Sequence, residues 1–302
     1  MTTAEDIAAS AVKHRVVAVV TAFKPEPGLI DAIDAALVQC AQVVVVDNTP
    51  SGATSAGDIL PQRRGLTVLR NAGNVGLAAA LRRGIDASGE SEYIFFLDQD
   101  SVVAPGLVSG LAHLLDQDSR RAIAAPAPWD AAAQRYLDPR TAGRPDVALM
   151  PVVITSAMLM RRAAYDQTDG MRDDFFVDCV DQDLCLQLRR AGWTIVQDKR
   201  LLLPHSLGAT RWHGIGFLKL RATHHPQWRL YWVARNGLIL SREYFRFDPR
   251  WSVTNLAILA YWLVTVAMFE PPRWRGVRIL LHGVADGLRG RRDVRYLPDA
   301  SA

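Results

Sequence analysis

The chain has 302 residues, 49% of them hydrophobic and 22% charged, which allows a large core and excludes wholesale disorder. Its three cysteines, Cys40, Cys179 and Cys185, match neither a disulfide framework nor a zinc-finger spacing and fit a reducing compartment. The formal net charge of +4 is unevenly spread, since residues 211–295 hold 15 Lys and Arg against 5 Asp and Glu while the rest holds 20 against 26.

Met1 to Ser10 lacks the basic start and apolar core of a secretory signal, so a cytoplasmic protein with a flexible stretch at 1–13 is expected. Arg15 to Thr21 is a β-branched run that reads as a buried strand, followed by a loop through Pro25, Pro27 and Gly28 and a helix from Leu29 to about Cys40. Val43 to Val46 is a second strand, ending at Asp47-Asn48-Thr49. Strand, helix and strand in succession predict a doubly wound, mostly parallel sheet, and Asp47 then stands at a strand's C-terminal end. Leu66 to Leu69 is a third strand. It runs into Asn71-Ala72-Gly73-Asn74-Val75-Gly76, where glycine and asparagine permit a tight turn before an alanine-rich helix whose N-terminus offers free N–H groups. The stretch lacks both the dinucleotide glycine fingerprint and the Gly-Lys-Ser/Thr of a phosphate loop.

Tyr93 to Ser101, YIFFLDQDS, is the densest signal. Five apolar or aromatic residues run without a break into Asp98 and Asp100, as expected of a strand buried on both faces that ends in ligand chemistry. Two carboxylates two residues apart suit a hard cation shared with a substrate diphosphate; an acidic turn is the plainer alternative. Pro105 to Asp116 has helical spacing, Pro126 to Pro145 reads as a loop-rich connection, and Val152 to Ile154 as a short strand leading to Met158–Met160. Asp174, Asp178, Asp181 and Asp183 crowd before a helix carrying Leu184 and Leu188. The helix dipole favours such carboxylates and keeps them ionised, as a general base requires. A strand from Thr194 to Gln197 and the run Leu201–Leu203 lead to His205.

The C-terminal third is basic and apolar in turn. Its charge points to phosphate-bearing partners or to a solvated basic face, and its long apolar runs speak against nucleic acid as that partner. Trp251 to Phe269 holds 19 residues without a charge, close to the roughly 20 that span a bilayer. Arginines precede it at 242, 246 and 250 and follow it at 273, 275 and 278. Positive charge on both flanks suits a helix lying in the cytoplasmic interface; a core or dimer helix and a true span are the alternatives, and a homo-oligomer stays open.

Taken in order, Val20-Thr21, Val46-Asp47-Asn48, Asn71 to Ala80, Phe96 to Ser101, Phe176-Val177-Asp178 with Val180-Asp181, and His205 to Gly208 resemble the inverting family-2 glycosyltransferases of the GT-A fold. The likeness covers residues 14–245 and is closest to the bacterial rhamnosyltransferase branch. It implies a GT-A catalytic domain at 14–210, with a C-terminal helical region at 211–302 for the acceptor and the membrane surface. It further implies a nucleotide-sugar donor, dTDP-L-rhamnose in that branch, held through Thr21, Asp47, Asn74, Asp98 and Asp100. Asp47 would contact the nucleobase, Asp98 the ribose and donor sugar, and Asp100 with His205 a Mg²⁺ or Mn²⁺ ion. Asp181 matches the catalytic base. Arg229, Tyr231, Arg235 and Asn236 resemble the branch's acceptor-side signature, which implies a lipid-linked or polysaccharide acceptor at the inner leaflet. Arg82 or Arg83 and Gln187 depart from the family's pattern. A sugar nucleotidyltransferase, or a sugar-nucleotide-binding protein without catalysis, are the rival readings.

Overall fold

A computed structural model describes residues 10–204, 211–215, 218–222, 226–293 and 295–298, with backbone alone in the two segments between 211 and 222. The chain forms two compact units: residues 1–172 with 184–206, and residues 173–183 with 207–302. The second unit thus takes eleven consecutive residues from within the span of the first, which a contiguous division of the sequence does not anticipate.

The first unit is built on a mixed sheet of order β3-β2-β1-β4-β8-β5-β9-β7, with β6 paired to β5. Strands β1 (Val16–Ala22), β2 (Gln42–Asp47), β3 (Leu66–Arg70) and β4 (Tyr93–Asp98) are parallel. Between them run helices α1 (Leu29–Gln39), the short α2 (Ala56–Ile59) and α3 (Leu77–Ala87), and α4 (Leu107–Asp116) follows β4. Alternation along β1 sends its side chains to opposite faces. Val16, Ala18 and Val20 join α1 and α4 in the main core, whereas Val17 packs with Val44, Val46 and Ala80 of α3. Helix α3 lies close because Gly84 faces β1: a Cβ there would come within 2.3 Å of a Val19 methyl.

The second half of the sheet is where the sequence reading is corrected. Val152 to Ile154 is not a strand; the strands are β7 (Val147–Leu149) and β8 (Leu159–Arg161), with α5 (Arg162–Tyr165) after β8. Residues 126–130 belong to a ten-residue strand, β5 (Arg121–Asp130), followed by β6 (Arg135–Tyr136). Pro126 and Pro128 are tolerated because β8 pairs with β5 only at Ile123 and Ala124, and a register shift falls between Pro126 and Ala127. Strand β9 (Thr194–Pro204) is longer than its apolar run, as Gln197 and Asp198 lie buried within it.

At the N-terminal edge of β1 and β4, Arg15 bonds Glu92 at 2.6 Å and Asp116 at 2.8 Å, and its guanidinium lies over the Tyr93 ring. This network ties the starts of the two central strands to the end of α4.

The second unit contains the start of α6 (Val180–Arg190) and three helices, α7 (Gln227–Glu243), α8 (Pro249–Phe269) and α9 (Arg273–Arg289). A short antiparallel pair, β10 (Arg211–Ile215) and β11 (Leu218–Ala222), precedes them. Tyr231, Trp232, Val266, Ile279 and Leu280 make its core. Helices α7 and α9 pack backbone to backbone at Gly283, where a Cβ would stand 2.4 Å from the Tyr231 carbonyl oxygen.

Candidate active site

The candidate residues fall into two sets, one in each unit. In the first unit they gather at the carboxyl edge of the parallel strands. The chain places β2 and β3 on one side of β1 and then returns to place β4 on the other. The strand order therefore reverses between β1 and β4, where open α/β sheets bind ligands. Thr21 of β1 is the register partner of Asp98 of β4, and Ala22 that of Asp47 of β2. Thr21 and Asp98 are half-buried, and Asp100 is exposed two residues past Asp98.

Polar side chains brace this edge. Gln99 and Phe23 exchange two hydrogen bonds: the Phe23 N–H donates to Gln99 Oε1 at 2.8 Å, and Gln99 Nε2 donates to the Phe23 carbonyl at 3.3 Å. They clamp the loops after β1 and β4 to each other across the switch point. The buried Ser156 hydroxyl donates to Asp98 Oδ2 at 2.6 Å, fixing one carboxylate oxygen.

Asp47 departs from expectation. It is fully buried, and its two oxygens accept the backbone N–H groups of Thr49 at 2.9 Å and Ala56 at 2.8 Å. A carboxylate so committed shapes the 48–56 loop and presents no face to a nucleobase. Asn74 closes a local turn, accepting the Gly76 N–H at 3.0 Å, and remains half-buried at the start of α3. Arg83, though exposed, bonds locally too, donating to the Asn71 side chain and to the Arg70 carbonyl. Gln187 accepts from the Asp169 N–H and donates to the Gly170 carbonyl, so an amide that does both jobs stands where an arginine could only donate.

In the second unit the centre is the segment leading into α6. Asp178 and Cys179 both have left-handed backbones, with φ of 60° and 62°, an arrangement that costs about 1–3 kcal/mol per non-glycine residue. Helix α7 holds it in place. Asn236 Nδ2 donates to the carbonyls of Val177 at 2.9 Å and Asp178 at 3.0 Å. Arg235 Nη1 donates to the Asp174 carbonyl at 2.8 Å, and its Nε to the Arg291 carbonyl at 2.9 Å. Arg229 grips the Asp178 carboxylate with Nε at 3.1 Å and with Nη2. Burial opposes the Arg229 charge, but Asp178 outweighs it and the guanidinium's pKa is raised.

These contacts give the residues expected on the acceptor side a structural role. Tyr231, Arg235 and Asn236 are fully buried, and the Tyr231 hydroxyl donates to the buried Asp286 at 3.0 Å. Donors spent on carbonyls and carboxylates inside the unit are not offered to an acceptor; they hold residues 174–179. Asp181, half-buried, follows in the first turn of α6, with Asp183 buried behind it. Burial, and then the charges of Asp178, Asp181 and Asp183, push the Cys179 thiol well above its ordinary pKa, so it stays neutral.

Asp98 and Asp100 supply hard oxygen donors, and a cation such as Mg²⁺ is typically held by one or two carboxylates together with substrate phosphates and water. The donor chemistry therefore fits. Among the described residues no three His, Cys, Asp or Glu side chains form a metal-binding group, and His205 lies outside them.

Residues 17–168, half of the chain, match the family model described as glycosyl transferase family 2. The chain belongs to this family. No curated protein sequence matches it. Among solved structures, this glycosyltransferase is similar to the mannosyltransferase PcManGT from Pyrobaculum calidifontis in complex with GDP-Man and Mn²⁺, with a TM-score of 0.57 and 14% identity over 92% of this chain and 88% of that one. It is similar also to S. aureus TarS residues 1–349, with a TM-score of 0.58 and 12% identity over 92% and 82% of the two chains. GalNAc-T7 with UDP, GalNAc and Mn²⁺ aligns over 64% of this chain and 44% of its own, with a TM-score of 0.50 and 10% identity. At such identities the likeness is one of fold, and the family-2 chain has the GT-A-like arrangement of a central sheet flanked by helices.

Gln99 and Ser156 escaped the sequence reading. Gln99 lies between the two expected acids, where the alternation of a strand would have marked it as pointing elsewhere. Ser156 sits in a stretch read as leading out of a strand, and nothing local ties it to Asp98.

Proposed function

We propose that this family-2 glycosyltransferase is an inverting enzyme that moves a sugar from a nucleotide-sugar donor to a hydroxyl of a lipid-linked or polysaccharide acceptor. The donor we favour is dTDP-L-rhamnose, on the resemblance to the rhamnosyltransferase branch. The observation that carries the reading is the pairing of Thr21 with Asp98 across the switch point of the sheet, with Asp100 exposed just beyond. The nucleotide and Mn²⁺ present in PcManGT and in GalNAc-T7 support a donor and a divalent cation here.

Asp98, braced by Ser156, would orient the donor's ribose and sugar. Asp100 would hold Mg²⁺ or Mn²⁺, with His205 as the further ligand that the resemblance implies; when bound, the ion supplies neutralisation of the charge on the departing diphosphate. Asp181 takes the proton from the acceptor hydroxyl as that oxygen attacks the anomeric carbon from the face opposite the nucleotide. The carbon–oxygen bond to the diphosphate breaks, its electron pair leaves with the nucleoside diphosphate, and the anomeric configuration inverts. The basic C-terminal region would place this reaction at the cytoplasmic face of the membrane, beside a lipid-linked acceptor.

The test is a panel of nucleoside diphosphates and nucleotide sugars followed by thermal shift, with and without Mn²⁺ or Mg²⁺. One nucleotide should stabilise the protein in a metal-dependent way, and Asp100→Ala should abolish the metal dependence. Stabilisation unchanged by excess chelator would remove the cation from the reading, and indifference to every nucleotide would remove the donor.

A further inference from the structure

Helix α8 is turned inside out. Its buried positions include Ser252, Asn255 and Thr265 along with Leu259 and Val266, whereas Val253 is 56% exposed, Ile258 48% and Val264 47%. Leu256, Tyr261 and Met268 are exposed as well. A helix facing water has the opposite distribution, with its polar residues outward. The inward polar groups are accounted for: Asn255 Nδ2 donates to the Gly237 carbonyl at 2.9 Å and to Ser241 Oγ at 2.8 Å, both on α7. Val253, Leu256, Ile258, Val264 and Met268 face outward together, and an exposed apolar row of this kind marks an interaction surface.

Charge identifies the occupant. Between residues 249 and 292 the two acidic residues, Glu270 and Asp286, are both buried, so the exposed charge of α8 and α9 is entirely positive. Arg250 stands exposed at one end of α8, and Arg273, Arg275 and Arg278 follow its other end. Phe245 and Phe247 are exposed beside the first group, and Trp274, 82% exposed, sits between two arginines of the second. An outward apolar face with exposed aromatics and arginines around it, and no exposed acid on α8 or α9, is the make-up of a helix lying in the interface of an anionic bilayer. The inner face binds α8 to its neighbours, so the helix does not stand free to cross a bilayer by itself. From Asn255 to Val266 that face is tied to α7 and α9, Asn255 through its hydrogen bonds and Val266 against Gly276, where a Cβ would come within 2.7 Å of it.

We propose that the outward face of α8, with the arginines and Trp274 around it, docks the protein onto an anionic phospholipid surface, α8 lying parallel to the membrane. The inference is independent of the sugar-transfer reading, because it rests on exposure and charge in the second unit alone. The full chain would be sedimented with vesicles of phosphatidylcholine alone and of equal parts phosphatidylcholine and phosphatidylglycerol. It should pellet with the mixed vesicles and far less with the neutral ones. Arg273→Gln and Arg275→Gln should each weaken partition about fivefold, the equivalent of about 1 kcal/mol per arginine at the surface. The triple variant Leu256→Gln/Ile258→Gln/Val264→Gln should lose vesicle binding with its circular dichroism and melting temperature unchanged, since all three side chains are outside the core. Failure of the parent chain to pellet with anionic vesicles would overturn the proposal. So would retention of binding in the triple variant, or a dimer in sedimentation equilibrium that this variant dissociates in a chain without affinity for vesicles. Nucleotide stabilisation measured on the same samples reports separately on the donor site.

Discussion

At the scale of single residues, the same donors that suit a phosphate also suit a cluster of carbonyls, and only burial separates the two uses. Arg235 and Asn236 look in sequence like groups waiting for a ligand, yet both are fully buried and bind residues 174–178. Their work is to hold two consecutive left-handed residues that turn the chain into the first turn of α6. Asn236→Ala would leave two carbonyls without that donor, at about 1–3 kcal/mol. Asn236→Asp would do no better, since a carboxylate accepts and cannot donate. Both variants should lower turnover with little change in donor KM, and a donor KM that rose as much as kcat fell would return Asn236 to the ligand. Asp181→Asn keeps shape and removes the proposed base, so kcat should fall about 10²–10⁴-fold while calorimetric affinity for the nucleotide holds. A variant with parental turnover would end the assignment.

Among the elements, what was legible depended on how each one is buried. Strands β1, β2 and β4 are covered on both faces, so unbroken apolar runs announce them, and their acids mark where they end. Strand β5 carries two prolines and pairs with β8 over only two residues, so its sequence resembles a connection. Val152 to Ile154 has the composition of a strand without pairing as one. The expected acids at the β4 end were legible because charge follows hydrophobicity abruptly there. The bracing of Asp98 by Ser156 was not, because it joins residues 58 positions apart. Helix contacts through glycine are similarly silent in sequence. Gly283→Ala forces a methyl group toward the Tyr231 carbonyl and should cost about 1–3 kcal/mol as overpacking. A melting temperature unchanged from the parent would show that α7 and α9 can separate without penalty.

For the molecule as a whole, the edge of the sheet away from Asp98 contributes to the response to acid. Hydrogen bonds from Arg15 are the main reason that the Glu92 and Asp116 carboxyls titrate below their ordinary range. The stabilisation from this network is complete above the ordinary carboxylate pKa and is lost as the pH falls through the lowered native values. Arg15→Met should therefore destabilise the protein at neutral pH, and the difference from the parent should shrink on acidification below about pH 4. Denaturant melts across that range would check it, a widening gap being the contrary result.

Synthesis runs from the N-terminus, and domains fold as units once their sequence is complete. The first unit is complete in sequence by residue 206, but residues 173–183 belong with helices that begin at Gln227. A ribosome-bound chain can thus close its sheet before the segment that carries Asp181 is seated, so that segment waits on helices made last.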